Sequence, residues 1–419
     1  MSVEKVNTLV VGAGQAGIAA SEHLTNNDIS HLVLERARIA ERWRTSRWDS
    51  LVANGPAWHD RFPNMEFSSC GPDDFPAKED VANYFVDYAE QIKAPVRTGV
   101  TVTKAERVKG AINFRVETTS GIIETQNIIA ATGPFQKPIY PKIIPDNNTL
   151  IQIHSNEYFN PSQLLEGGVL IIGAGSSGAQ IAEELMTAGR DVYLSVGPHD
   201  RPPRSYRNRD FVWWLGVLGK WDLQTPGPGT EHVTIAVSGA NGGNTVDFRR
   251  FAAGGMTLVG RAKHMKDGVL HFAADLQKNV ANGDANLLSL LDEADAYIEL
   301  NGLDLPEDPD ARKKWPDPKC FTKPIQTLNL EKAGITSIIW ATGYSQEYKW
   351  LNAEVFDETG KPLHKRGVTE QQGVYFLGLP WQSRRGSSFI WGVWHDAKFL
   401  ADHIATKQKY RDYHPTIPD

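Results

Sequence analysis

The sequence predicts an α/β chain carrying two Rossmann-like dinucleotide-binding domains, the second inserted into the first. Three observations point there. A short apolar strand pattern enters a GxGxxG loop and then a helical pattern at two places; each unit is answered far downstream by a strand ending in a glycine turn; and 419 residues exceed one ordinary core.

In the first unit, Thr8-Leu9-Val10-Val11 reads as a buried strand, Gly12-Ala13-Gly14-Gln15-Ala16-Gly17 as the loop, and the residues through Leu24 as a helix. Leu32-Val33-Leu34 is the next strand and ends at Glu35-Arg36. Ile128-Ile129-Ala130-Ala131-Thr132-Gly133 closes the unit. Pro134, Pro138, Pro141 and Pro145 then stiffen a crossing between domains. The second unit repeats the pattern with Val169-Leu170-Ile171-Ile172, Gly173-Ala174-Gly175-Ser176-Ser177-Gly178, a helix through Leu185 and the strand Val192-Tyr193-Leu194. Ile338-Ile339-Trp340-Ala341-Thr342-Gly343 is its closing turn. The expected division is 1–145 for the first domain, 146–335 for the second, and 336–419 returning to complete the first. Within the second domain, about 201–323 reads as a substrate-side insertion with Trp213, Trp214 and Trp221. It also holds glycine-rich tracts at Pro226 to Thr230 and Gly239 to Gly243, and helical spacing over Leu287 to Leu303 that suits packing.

Composition narrows the class. Hydrophobic residues make up 41% and charged residues 22%, a profile of a globular enzyme. A net charge of −6, with no basic block longer than Arg201-Pro202-Pro203-Arg204, argues against nucleic acid as a partner. Two cysteines, Cys70 and Cys320, supply neither a disulfide framework nor a thiolate metal site, which suits a reducing, cytoplasmic setting. The N-terminus lacks a signal-peptide pattern. The apolar stretch Phe211 to Gly219 is far short of the ~20 residues of a membrane span, and is a candidate for a subunit contact in a homodimer or for a substrate entrance.

The glycines of a GxGxxG loop allow a tight turn, let backbone N–H groups approach a pyrophosphate, and bring helix and strand close together. The acid after the second strand then selects the nucleotide, because a carboxylate accepts ribose hydroxyls but repels a 2′-phosphate. Glu35 stands there in the first unit. The equivalent position in the second is Val196, preceded by Ser195, with Arg201 and Arg204 following. The first unit is therefore assigned to FAD and the second to NADPH; ordinary surface contacts for the two arginines, and NADH, are the competing reading.

Beyond the two loops, Trp43-Arg44, Asn54, Asp73-Asp74-Phe75-Pro76, Ala341-Thr342-Gly343-Tyr344, Val374-Tyr375-Phe376-Leu377-Gly378, Arg385-Gly386 and Asp396-Ala397 resemble flavin-containing monooxygenases over nearly the whole chain. The family fingerprint F-x-G-x-x-x-H is met only in its second half, by His154 through Tyr158. Asn148 and Leu150 stand where phenylalanine and glycine belong, so N-oxygenation and Baeyer–Villiger chemistry both stay open. The resemblance implies that NADPH reduces the flavin, O2 adds at its C4a atom, and the hydroperoxide awaits a small organic substrate while the protein excludes water. It also implies Asn54 as the amide beside the flavin; a turn asparagine next to Gly55 is the plainer reading. His154 is then a domain-linking or NADPH-positioning residue, or a structural one. Trp43, Trp48, Trp58 and Trp381 line a cavity or, more simply, fill a core. Asp73 and Asp74 suit a capped turn. Ser383 to Ser388 would hold the flavin ring or an anionic substrate, or form a solvated loop. A disulfide reductase would need a cysteine pair near the flavin. An NADPH-dependent electron transferase without oxygen insertion, and a nucleotide sensor without chemistry, are the remaining alternatives.

Overall fold

The computed structural model describes residues 3–111, 113–145, 150–225, 227 and 234–413. Asn148 and most of the tract Pro226 to Thr230 lie outside the described residues.

The first domain is built on a sheet whose parallel part runs Val96–Arg97, His31–Leu34, Glu4–Val11, Gly121–Ala130 and Val374–Phe376 in space. Leu9, Val10, Ile128 and Ile129 are almost fully buried, as continuous apolar runs in a sheet covered on both faces must be. The register aligns Val11 with Leu34 on one side and Ala130 on the other, and Ala130 with Phe376. Four strand ends thus open onto one crevice, where the first glycine loop begins. The helices Gln15–Asn26 and Ile390–Asp412 pack together on this sheet through Ile18, Leu24, Leu400 and Ile404. Gly121–Ala130 also turns its first half into an antiparallel meander with Phe114–Thr118 and Val102–Arg107.

The second sheet is parallel throughout, in the order Thr257–Val259, Val192–Ser195, Gly168–Ile172, Ile335–Trp340 and Ile151–His154. Two expectations about boundaries change. Ile335–Trp340 pairs on both sides within this sheet, so the second domain continues past 335 and the chain returns after Gly343. Thr257–Val259, inside the span assigned to a substrate-side insertion, supplies the edge strand of the nucleotide fold. The remainder of that span holds the helices Phe211–Val217, Phe248–Ala253 and the 26-residue Leu276–Asn301, longer than Leu287 to Leu303, together with the antiparallel strand pairs Ser205–Tyr206 with Arg209–Asp210 and Ala262–Lys266 with Val269–Phe272. Its Leu287, Leu291 and Ala294 are buried in packing against Tyr206 and Trp214.

The two crossings between domains are not independent linkers. Lys137–Pro138 pairs antiparallel with Tyr344–Ser345, and the Thr342 hydroxyl donates to the Ile139 carbonyl at 2.5 Å. Prolines fix φ in the first crossing while these bonds fix it against the second. Among the described residues no helix is long and apolar enough to cross a membrane.

Candidate active site

Each glycine of the first loop meets a different constraint. Gly12 has φ +108°, and a Cβ there would lie 2.6 Å from the Ala131 carbonyl oxygen. A Cβ on Gly17 would lie 1.8 Å from the Gly12 carbonyl oxygen, so only hydrogen allows helix and strand to approach this closely. Gly14 has open space around it, the approach a pyrophosphate needs. It caps the helix Gln15–Asn26 without a side-chain bond, leaving N–H groups of the first turn for an anion. Gly173 and Gly178 repeat the first two constraints, since a Cβ on each would strike the Ala341 and Gly173 carbonyl oxygens at 2.3 and 1.9 Å; Gly175 caps Ser176–Thr187 without a side-chain bond but, unlike Gly14, has Thr234 beside it, 3.0 Å from where a Cβ would lie. Ser176 is partly engaged already, since its N–H and its hydroxyl both donate to the Ile235 carbonyl at 2.8 Å. Ser177 is left as the neighbouring donor.

The strand-to-glycine turns lie against these loops. The Ala131 N–H donates to the Val11 carbonyl and the Ala341 N–H to the Ile172 carbonyl, each at 2.9 Å. Gln136 ties Thr132 and Gly133. Gly378, at φ +84°, brings the end of Val374–Phe376 onto Ala16, which a Cβ would approach to 3.0 Å.

Glu35 stands at the end of the second strand, its carboxylate accepting from the N–H groups of Ala13 and Ala37 at 2.9 Å each, which places it against the first glycine loop. The structural counterpart in the second unit is Val196, because Gly173 N–H bonds to the Ser195 carbonyl as Gly12 N–H does to that of Leu34. Ser195 spends its hydroxyl on the Gly260 carbonyl. No carboxylate repels a 2′-phosphate there.

The expected phosphate ligands Arg201 and Arg204 are corrected. Arg201 is 4% exposed and bonds to Asp284 at 2.7 Å and to the Val246 carbonyl. Arg204 is 5% exposed, forks onto Asp210 at 2.5 and 2.6 Å, and lies between the rings of Phe75 and Phe211. Both are buried struts. A different cation stands beside Val196: Arg261 follows the edge strand Thr257–Val259, packs beside Gly197, and is 62% exposed in a pair with Asp275. Its signal was absent from sequence because it stands 65 residues after Val196, brought there by strand pairing. Arg44 is likewise held away, by Glu79 and Asn83, and Arg36 is solvent-exposed beside Glu35.

One cleft of about 930 Å³ runs between the domains. From the first unit it reaches Gln15, Trp43, Trp48 and Asn54, and from the second Gly173, Gly175, Ser176, Ser177, Gly178, Ala341, Thr342 and Gly343. Gly12, Gly14, Gly17, Glu35 and Gly378 lie outside its lining. Trp43 packs against the cores of both domains, and Trp48 is buried in the second, so lining and packing coincide. Asn54 accepts at Oδ1 from Gln180 at 2.8 Å, and its backbone carbonyl accepts from Arg204 at 2.7 Å. Gln180 also donates to the Val237 carbonyl and is 7% exposed. It stands on the helix that opens at the second loop, so it joins Asn54 to the second nucleotide unit; sequence reasoning passed over it as an ordinary helix residue. Gly239 allows the insertion to abut this point, since a Cβ would sit 2.2 Å from the Ala53 carbonyl oxygen.

His154 does not line the cleft. It is fully buried, and its Nε2 meets the Gly343 carbonyl at 3.0 Å, so Nε2 carries the proton. Burial holds its pKa below the ordinary histidine value. It fastens the crossing under the second closing turn. Tyr158, also buried, donates to Glu184 at 2.7 Å. Asp74 accepts from Gly71 N–H at 2.8 Å, the capped turn expected of it. The segment Ser383 to Ser388 is no solvated loop: Gly386 and Ser387 are buried, and Ser383 donates to Asp396 at 2.5 Å. Neither Cys70 nor Cys320 lines the cleft, and burial raises the pKa of both thiols.

Two glycine-capped helix N-termini, with Glu35 after the second strand of the first unit and Val196 at the equivalent point of the second, define a two-dinucleotide flavoprotein oxidoreductase whose residues fit FAD on the first loop and NADPH on the second. A family model for pyridine nucleotide-disulphide oxidoreductases matches residues 9–215. An uncharacterized CzcO-like oxidoreductase of Geobacillus kaustophilus is 33% identical over 95% of this chain and 98% of its own. A probable indole-3-pyruvate monooxygenase of Arabidopsis thaliana, YUCCA4, is 28% identical over 94% of this chain and 89% of its own. The solved flavin-containing monooxygenase of Stenotrophomonas maltophilia superposes with a TM-score of 0.66 at 19% identity, covering 97% of this chain and all of that one, a likeness of fold. The chain belongs to the CzcO-like oxidoreductases.

Proposed function

We propose that the protein is an FAD- and NADPH-dependent monooxygenase acting on a small organic substrate in the cytoplasm, with O2 as co-substrate. The observation that carries the reading is the interdomain cleft, which joins the second glycine loop to Asn54 and to an aromatic wall. Reductant, flavin edge and substrate can share one water-poor space there.

Gly14, Gln15 and Glu35 would hold the FAD pyrophosphate and ribose, with Trp43 closing one side. Gly175 and Ser177 would hold the NADPH pyrophosphate, and Arg261 would pair with the 2′-phosphate in the place first given to Arg201 and Arg204. The bound flavin supplies hydride acceptance and O2 activation. The protein's task is positional. Gln180 holds Oδ1 of Asn54, which leaves the amide N–H groups directed to other partners in the cleft, where a neutral donor can steady oxygen without delivering a proton.

The test is oxygen bookkeeping. Candidate substrates are turned over with NADPH under ¹⁸O2, and product label is compared with NADPH consumed and peroxide released. One labelled oxygen atom per NADPH is expected with a true substrate. Stoichiometric peroxide and unlabelled product with every amine, sulfide, ketone and keto acid tried would replace the reading with an electron transferase.

A further inference from the structure

Of two adjacent arginines at the aromatic side of the cleft, Arg385 is part of its lining and Arg384 is not. Arg384 is paired with Asp222 at 2.6 Å and lies over the Trp391 ring. Arg385 lines the cleft and, among the described residues, makes no side-chain hydrogen bond, ion pair or ring contact. Its backbone N–H donates to the Leu223 carbonyl at 2.8 Å, which seats it at the insertion beside Trp221. The other cations of the lining are engaged: Lys220 with Glu293, Arg261 with Asp275, and Arg47 with the Ser46 carbonyl and the Phe135 ring.

A guanidinium stays charged at any physiological pH, and burying it without an anion is costly. Burial already lowers the Arg385 pKa, with Asp200 opposing that from across the lining without forming an ion pair. The wall around it is apolar: Trp221 meets the ring of Phe389 edge-on at 5.0 Å and stacks on His59 at 5.4 Å, with Phe211 and Leu290 beside them. The planar fork of Arg385 matches a carboxylate bidentately.

We propose that this side of the cleft takes an organic carboxylate, an anion with an aromatic or apolar body, whose carboxylate pairs with Arg385. The substrate then brings the counter-charge that the fold omits, and its body fills the aromatic wall. This rests on the monooxygenase reading for the use of the cleft, but binding can be measured without turnover.

The test is a titration of the FAD-loaded holoenzyme with phenylpyruvate, phenylalanine and their methyl esters, followed by the flavin difference spectrum and by calorimetry. At least about tenfold tighter binding of one acid over its ester is expected, the scale of a charge-assisted hydrogen-bonded pair. R385Q should reduce that preference to within about twofold. Which acid binds tells whether Asp200 receives an ammonium group or the ligand is a simple anion; either supports the proposal. Equal binding of acid and ester by the unaltered protein would overturn it. So would a fall in NADPH affinity in R385Q matching any loss of acid binding, since Arg385 would then serve the nucleotide. Acid selectivity without any ¹⁸O transfer would sink the monooxygenase reading and leave this one standing.

Discussion

Single side chains decide specificity here, and three arginines that look alike in sequence separate once their neighbours are known. Arg201 and Arg204 are enclosed with carboxylates; Arg261 is exposed beside Gly197. Arg261→Ala should raise KM for NADPH about 10–100-fold while moving KM for NADH within about twofold, the loss of one phosphate pair. Arg201→Ala should instead cost about 3–5 kcal/mol of stability by leaving buried Asp284 short of a partner, with the NADPH to NADH ratio unchanged. Steady-state kinetics beside chemical denaturation checks both. Gln180 makes a second residue-scale case. Gln180→Glu keeps its shape but removes the amide donor to Asn54 and to the Val237 carbonyl. A share of NADPH electrons lost to peroxide several-fold larger than in the parent is expected, together with about 1–3 kcal/mol of destabilisation. A purely structural glutamine would lower stability and leave the peroxide ratio where it was.

At the scale of elements, the loops work because helix, strand and closing turn converge within atomic contact. Gly17→Ala places a methyl 1.8 Å from the Gly12 carbonyl oxygen, which no rotamer relieves. The helix must move off the strand, costing on the order of 2–4 kcal/mol. The variant should purify with little flavin; absorbance of flavin against protein reads this directly. The mirrored Gly178→Ala should keep its flavin and lose NADPH reduction, because its clash lies in the other sheet. Both loops, both sets of flanking strands and Glu35 were legible in the sequence because each depends on residues within a short span. The edge strand Thr257–Val259 and the side of the boundary on which Ile335–Trp340 falls were not, because a short apolar strand carries no mark of the sheet it joins.

For the molecule as a whole, acid should be destabilising. His23, His31, His154, His199, His364, His395 and His403 all have pKa values lowered from 6.5, burial being the first cause for each. The unfolded chain therefore binds more protons than the native one once pH drops below about 6.5. Stability from these rings is fully present above that value and is lost as pH falls toward the lower native pKa values. Melting temperature measured from about pH 8 to pH 5.5 should be flat in the upper part and fall in the lower; a flat profile throughout would contradict the burial. The sequence by itself determined the α/β class, the duplication of dinucleotide units and the acid, Glu35, that follows the second strand of the first unit and has Val196 as its counterpart in the second. These are local patterns whose physics is complete within one βαβ unit. Only the tertiary structure decided which arginines are buried with carboxylates, which glutamine holds Asn54, and that Arg385 lines the cleft with no side-chain partner among the described residues. Arg261 meets Asp275 across 14 positions, Arg201 meets Asp284 across 83 and Gln180 meets Asn54 across 126, contacts that exist only once the chain has folded back on itself.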